Sequence, residues 1–148
     1  MSSRAISILL EQISEQEQQA IAELTLVRNQ FLMFNQQLKQ LESYRRSYME
    51  QSLSKGASGV QASGFHQYQA FIQTIEKAEV EQQQNVERLK NNVDQKRNDW
   101  LAVQSRRKAL EKLLERQRIQ AQKKADITEQ KLLDEYAMFS FYRRQQSV

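Results

Sequence analysis

The chain has 148 residues and carries 22 Lys and Arg against 18 Asp and Glu, a formal net charge of +4. It has three Gly, no Pro and no Cys. The lack of Cys excludes disulfides and thiolate metal sites within it and fits a reducing compartment. A compact fold of this length needs many turns, and turns depend on Gly and Pro. We therefore expect one all-α domain built from very few, long helices.

The first predicted element is a helix over residues 4–53. Its apolar side chains recur at alternating spacings of three and four residues, which is the heptad pattern of a helix that packs along one stripe. Eleven of the thirteen positions in this stripe are apolar: Ile6, Leu10, Ile13, Glu17, Ala20, Leu24, Val27, Phe31, Phe34, Leu38, Leu41, Arg45 and Tyr48.

The second predicted element is a loop over residues 54–64. All three glycines of the chain, Gly56, Gly59 and Gly64, lie in this segment together with several serines. Gly and Ser clusters between two periodic segments are typical of a flexible connection.

A second helix is predicted over residues 65–142. Ten of the fourteen positions in its heptad stripe are apolar: Tyr68, Ile72, Ile75, Glu79, Gln82, Val86, Leu89, Val93, Lys96, Trp100, Val103, Arg107, Leu110 and Leu114. The phase of the pattern then changes. An apolar stripe resumes in another frame at Ile127, Leu132, Leu133, Tyr136 and Phe139.

Two heptad helices joined by a short loop pack most simply against each other. The predicted fold is a long two-helix antiparallel coiled-coil hairpin that forms a single domain over residues 1–148. The second helix is the longer one, so we expect it to extend beyond the first at the terminal end. Polar residues in the stripes weaken the contact between the helices, but they can also fix its register.

The sequence lacks the residue combinations that catalysis requires, although Asp and Glu are plentiful. His66 is the one histidine, and the glycines lack the Lys-Ser/Thr that completes a phosphate-binding loop. Carboxylates on exposed helices project into water, where nothing raises their pKa for acid–base catalysis. We therefore expect no catalysis, no cofactor, no metal and no small-molecule substrate.

Neither secretion nor membrane insertion is expected from the sequence. The apolar stretch near the N-terminus ends at Glu11 without a cleavage site of small residues, so no signal peptide is predicted. The longest aliphatic run, Ile8 to Leu10, falls far short of the roughly 18 residues that a membrane span requires. The sequence predicts a soluble, cytoplasmic protein.

Basic residues gather in one stretch of the second helix, which we call the basic stripe. Its eight members are Arg106, Arg107, Lys108, Lys112, Arg116, Arg118, Lys123 and Lys124. The stripe is either a solvated coiled-coil face or a surface for an acidic protein partner. Nucleic-acid binding is a third possibility, disfavoured because no aromatic side chains are interleaved with the basic ones.

Apolar side chains next to the heptad stripes widen them on both sides of the loop. Tyr44 accompanies Leu41 on the first helix, and Phe71 accompanies Ile75 on the second. Because the chain reverses between them, these side chains should lie close together. They either pack against one another or form an exposed patch for a partner.

At this point the sequence resembles the FliJ family of flagellar export proteins. The segment from Tyr68 to Ala78, Tyr-Gln-Ala-Phe-Ile-Gln-Thr-Ile-Glu-Lys-Ala, carries most of the resemblance. Tyr44 and Tyr48, Trp100, and Asp134-Glu135-Tyr136-Ala137 before a basic tail add to it. The resemblance covers essentially the whole chain.

The resemblance implies a cytoplasmic, non-enzymatic stalk of the flagellar type III export apparatus, peripheral at the inner face of the cell membrane. Its implied partners are the hexameric export ATPase, which would hold the terminal ends of both helices, the cytoplasmic part of the membrane export gate, and the escort chaperones. The implied gate-binding residues are Gln37, Leu41, Tyr44, Tyr48, Phe71, Ile75 and Ala78. The chain departs from the family pattern at Gln82, where a histidine can stand. An injectisome-type stalk, a basic coiled-coil scaffold and a nucleic-acid-binding protein remain alternatives.

Overall fold

The computed structural model describes residues 2–57 and 62–146. These residues form two helices, α1 over Ser3–Ala57 and α2 over Ala62–Gln146, of 55 and 85 residues. The helices pack against each other in antiparallel directions, and the described part of the chain contains no strand. The all-α helical hairpin predicted from the sequence is confirmed.

Both helices continue further than the sequence pattern suggested. Within the predicted 54–64 loop, residues 54–57 and 62–64 are helical, while residues 58–61 lie outside the described residues. Ser2 caps the start of α1, because its Oγ accepts a hydrogen bond from the backbone N–H of Ala5 at 3.2 Å. The chain contains no proline to break a helix, so both helices can continue past the predicted loop boundaries.

The chain divides into two compact units, Glu17–Ala102 and the combination of Met1–Gln16 with Val103–Val148. Ion pairs join α1 to α2 in the Glu17–Ala102 unit. Lys96 Nζ lies 3.1 Å from Glu23 Oε2, and Arg45 Nε lies 2.7 Å from Glu79 Oε1. The earlier α1 residue pairs with the later α2 residue, as antiparallel packing requires. The single-domain assignment stays a prediction.

In the other unit, the N-terminal residues of α1 pack on the first part of its α2 segment. Ile6 and Ile13 are buried, with 0% and 8% of their surface exposed. Ser3 Oγ donates a hydrogen bond to Gln117 Oε1 at 3.0 Å. Beyond this point α2 continues through residues 118–139, every one of which is exposed. The apolar stripe that resumes at Ile127 is therefore uncovered.

The heptad stripes form the contact between the helices. Each predicted stripe position from Ile6 to Tyr48 and from Tyr68 to Leu114 is buried or half-buried. The most buried apolar side chains of the described residues all belong to these stripes: Ile6, Ile13, Leu38, Ile75, Leu89 and Val93. The heptad prediction is confirmed, and the apolar stripe supplies the core.

Polar residues within the stripes find partners across the contact. Gln82 Nε2 donates to the backbone carbonyl of Phe34 at 2.9 Å. Glu79, which is 6% exposed, accepts a hydrogen bond from Arg45. This hydrogen bond and the charge of the carboxylate raise the pKa of the Arg45 guanidinium above its ordinary value. Because each polar side chain meets its partner at one alignment only, these residues specify the register of α1 against α2.

Truncating a stripe leucine should destabilise the hairpin far more than truncating an exposed one. Leu89 is 7% exposed and Leu26 is 61% exposed, and both belong to the Glu17–Ala102 unit. We expect Leu89→Ala to cost about 2–3 kcal/mol of unfolding free energy, because it opens a cavity in a thin core. Leu26→Ala should change it by less than about 0.5 kcal/mol. Urea unfolding followed by circular dichroism measures both, and equal losses would contradict the observed contact.

Two variants test whether the Arg45–Glu79 ion pair itself stabilises the hairpin or only fixes the alignment of its helices. Arg45→Leu leaves a nearly buried carboxylate without its cation, so the melting temperature should fall. The double variant Arg45→Leu/Glu79→Leu should recover most of that fall, because two apolar side chains replace the ion pair in the same space. Thermal unfolding measures the melting temperatures of the two variants and of the unaltered chain. A double variant less stable than the single one would show that the pair itself holds the helices together.

Candidate partner-binding surfaces

Four aromatic side chains from the two helices meet in what we call the aromatic cluster: Tyr44, Tyr48, Tyr68 and Phe71. The ring centroid of Tyr48 lies 4.6 Å from that of Phe71 and 5.0 Å from that of Tyr68. Tyr44 lies 6.0 Å from Tyr48 and meets Phe71 edge-on at 6.2 Å. These separations suit favourable aromatic pairing, so the rings hold one another in place.

The aromatic cluster remains open to solvent on one side. Tyr44 is 52% exposed and Phe71 is 38% exposed, whereas Tyr48 and Tyr68 are half-buried beneath them. The two interpretations offered by the sequence thus both apply in part, because the side chains pack against one another and still present apolar surface. The result is an exposed aromatic surface on a packed base.

Lys55 borders the aromatic cluster on α1. Its Nζ lies 5.1 Å from the centroid of the Tyr68 ring, within reach of a cation–π interaction. A hydrogen bond with Tyr68 raises the pKa of the Lys55 ammonium above its ordinary value. A positive charge therefore stands at the edge of the aromatic surface.

An open groove of about 530 Å³ adjoins the cluster. It is lined by Gln37, Gln40, Leu41, Tyr44 and Gln82. The Gln82 amide also donates to Gln37 Oε1 at 3.2 Å, which positions both side chains. The groove thus combines apolar walls with amide groups that can hydrogen-bond.

The structure brings together most of the residues implied for gate binding. Gln37, Leu41 and Tyr44 line the groove, while Tyr48 and Phe71 belong to the aromatic cluster. The remaining two, Ala78 and Ile75, lie deeper. Ala78 is half-buried and Ile75 is only 5% exposed. Ile75 therefore packs between the helices and supports the surface from beneath.

Three neighbours of this surface were not assigned to it from the sequence: Tyr68, Gln40 and Lys55. Tyr68 belongs to the heptad stripe, and its spacing of three from Phe71 places the two on one side of α2. Gln40 likewise follows Gln37 at a spacing of three. Lys55 fell within the predicted loop, so its helical position beside Tyr68 could not be anticipated.

The basic stripe proves to be a face of α2 with flanking members. Lys108, Lys112 and Arg116 follow one another at spacings of four, and Lys123 comes seven residues later, so these four exposed side chains lie on one side of the helix. Arg106 and Lys124 are exposed elsewhere on the helix. The four aligned side chains form a positive surface, which we call the basic face.

Two members of the basic stripe form ion pairs with acidic residues on the same helix. Arg107 Nη1 lies 2.8 Å from Glu111 Oε1 and is half-buried. Arg118 binds Glu115 through both Nε and Nη2, at 3.1 and 2.7 Å. This hydrogen bonding lowers the pKa of Glu115 and raises that of Arg118. These two arginines are thus ion-paired within α2 and are not counted in the basic face.

A second open groove, of about 380 Å³, lies where the start of α1 meets α2. Its lining includes Ser3, Leu114, Gln117 and Ala121. Across residues 2–57 and 62–146 there is no group of His, Cys, Asp or Glu side chains suited to hold a metal ion. Within the same described residues, neither helix has a stretch long and apolar enough to cross a membrane.

Comparison with known proteins adds a family to this geometry. Residues 2–146 match the model of the family described as "Flagellar FliJ protein". The chain is 32% identical over 109 residues to the flagellar FliJ protein of Escherichia coli (strain K12) and 28% identical over 109 residues to that of Salmonella typhi. Each alignment covers 74% of this chain and 74% of the relative. No solved structure matches the chain. This two-helix chain therefore belongs to the FliJ family and is a component of the flagellar export apparatus.

Proposed function

We propose that the chain is a non-enzymatic coupling protein of the flagellar type III export apparatus. It binds the hexameric export ATPase and promotes the assembly and activity of the ATPase ring. It also contacts the cytoplasmic part of the membrane export gate and the escort chaperones, and it works in the cytoplasm at the inner face of the membrane. The flagellar description of the matched family favours this system over an injectisome.

The observation that best supports gate binding is the exposure of Tyr44 and Phe71 above a packed aromatic base. Binding hot spots are commonly large aromatic side chains that meet a partner pocket. Because Tyr48 and Tyr68 hold the two exposed rings, little side-chain freedom is lost when a partner covers them. The aromatic cluster is therefore a preorganised anchor for the export gate.

The adjoining groove supplies specificity to the same contact. Leu41 offers apolar surface to a partner side chain, and the amides of Gln37 and Gln82 stand beside it. A gate segment that packed on Leu41 and also hydrogen-bonded to the amides would bind better than one that only packed on Leu41. The reason is that burying an amide without a hydrogen-bond partner is costly. Gln82 places a neutral amide where the family resemblance allows a histidine, so we expect this contact not to depend on histidine protonation.

The terminal ends of both helices supply the surface for the ATPase, with α2 continuing alone beyond Gln117. Residues 118–139 are exposed throughout, and the basic face lies on the same helix. A positive face attracts an acidic partner and speeds its encounter. A protein that binds the assembled ATPase ring more tightly than the separate ATPase subunits raises the population of the ring. The chain would raise ATPase activity in this way without any catalysis of its own.

Truncating the exposed aromatic residues should weaken gate binding. We expect Phe71→Ala to lose about 1–3 kcal/mol of binding free energy toward the cytoplasmic domain of the cognate gate protein. The variant should also lose about 0.5–1.5 kcal/mol of stability, because Phe71 packs on Tyr44 and Tyr48. Tyr44→Ala, at a more exposed position, should lose binding with less effect on unfolding. Calorimetry and thermal unfolding measure the two effects.

Ile75→Ala is the matched control for this experiment. Ile75 lies one turn after Phe71 but is buried, so its truncation should cost about 2–5 kcal/mol of stability. At a temperature where the variant is folded, it should bind the gate nearly as well as the unaltered chain. Full gate binding by both Phe71→Ala and Tyr44→Ala would remove the aromatic cluster from the function.

Removing residues 126–148 should abolish stimulation of the cognate export ATPase. Every residue from Asp126 to Phe139 is exposed, so this truncation leaves the contact between the helices intact. Removing residues 1–13 should have the same effect, although it also removes the buried Ile6 and Ile13. ATP hydrolysis is measured at ATPase concentrations where the ring assembles poorly.

Shortening the 56–64 segment is the control, and it should leave the stimulation in place. Reversing the basic face with Lys112→Glu and Arg116→Glu should weaken stimulation, and more so at low salt, where charges act over longer distances. Stimulation that survives both terminal truncations and disappears on shortening the 56–64 segment would reverse the assignment of surfaces.

A further inference from the structure

The last part of α2 exposes more apolar surface than any heptad stripe requires. We call residues 118–146 the α2 extension and residues 136–142 the apolar block. The block reads Tyr-Ala-Met-Phe-Ser-Phe-Tyr and contains no charge. Its five large side chains are between 63% and 73% exposed: Tyr136, Met138, Phe139, Phe141 and Tyr142. At 100° per residue they spread around most of the helix, and helices of this kind are normally buried.

Charges are arranged symmetrically around the apolar block. Asp134 and Glu135 stand five and four residues before Phe139, and Arg143 and Arg144 stand four and five residues after it. Reversing the direction of the helix about Phe139 therefore places acidic residues where basic residues stood. A segment with this property is complementary to an antiparallel copy of itself.

We propose that the apolar block pairs with the same block of a second copy of this chain, in an antiparallel arrangement centred near Phe139. Such a contact is isologous, since Glu135 of each copy faces Arg143 of the other. Parallel pairing would instead place like charges opposite one another, which is unfavourable. The charge pattern thus selects both the partner and the direction of pairing.

The exposed area suffices for a reversible dimer. An aromatic side chain can bury about 150–250 Å². Four such side chains at about two-thirds exposure, together with Met138, Leu132 and Leu133, present on the order of 800 Å². Two paired helices cover roughly half of this surface, which is below the ~800 Å² per partner of a standard stable interface. We therefore expect a weak dimer that forms in the micromolar range and dissociates on dilution.

An anionic membrane surface suits the apolar block less well than a second copy does. Lipid-binding helices keep basic residues on a polar face and apolar residues on the other. Here the apolar side chains spread around the helix, so the block has no separate polar face to turn toward water on a membrane. The α2 extension carries six Lys and Arg against four Asp and Glu, so this missing polar face, and not charge repulsion, disfavours the membrane. A second copy, unlike an anionic lipid surface, also provides Arg143 as an ion-pair partner for Glu135.

Sedimentation equilibrium of the full chain tests this pairing without any other export component, so its outcome does not depend on the proposed function. The apparent mass should rise from 17.5 kDa toward twice that value as the concentration increases from low to high micromolar. Phe139→Asp should weaken association by about tenfold or more, because the residue lies at the centre and is changed in both copies. Leu26→Asp, which also alters an exposed apolar residue, should have no effect.

Charge reversal identifies the arrangement. Glu135→Arg and Arg143→Glu should each weaken the dimer, since each places like charges opposite one another. The double variant Glu135→Arg/Arg143→Glu should restore it. Failure of this restoration, or a monomer at every concentration, overturns the proposal. So does cosedimentation with phosphatidylglycerol vesicles that Phe139→Asp abolishes while the chain stays monomeric without lipid.

Discussion

The structure depends on a single contact: one apolar stripe of α1 against one apolar stripe of α2. A helix with one neighbour can bury only a narrow strip of its surface, so most side chains face water whatever their type. Few side chains are fully buried, and Ile6 is the extreme with 0% of its surface exposed. The same constraint that keeps the core thin leaves long surfaces of both helices open to solvent.

Polar residues in the stripes fix how α1 is aligned along α2. A purely apolar stripe allows α1 to slide along α2 by one heptad at little cost. The Arg45–Glu79 ion pair and the bond from Gln82 to the Phe34 carbonyl form only in one register. They therefore hold the aromatic cluster together, because Tyr48 of α1 meets Phe71 of α2 only while that register is kept.

The sequence predicted the stripes well and the surfaces less well. Periodicity determines which side of a helix faces its partner, so positions such as Leu38 and Val93 could be assigned to the core. Periodicity does not reveal how deep each residue lies. Ile75 and Phe71 are one turn apart, yet Ile75, a stripe residue, is 5% exposed, whereas Phe71, beside the stripe, is 38% exposed. The helical residues 54–57 were missed since Gly and Ser weaken a helix without forbidding it.

The proposed dimer and the proposed ATPase contact both use the apolar block at the exposed end of α2. A surface buried in one association is withheld from the other, so the two must compete by mass action. In the two proposals, paired helices cover only about half of the block, whereas a ring around the helix would cover all sides of it. Self-association would thus shield Phe139 and its neighbours while the chain is free, and would yield to a partner that encloses the block completely.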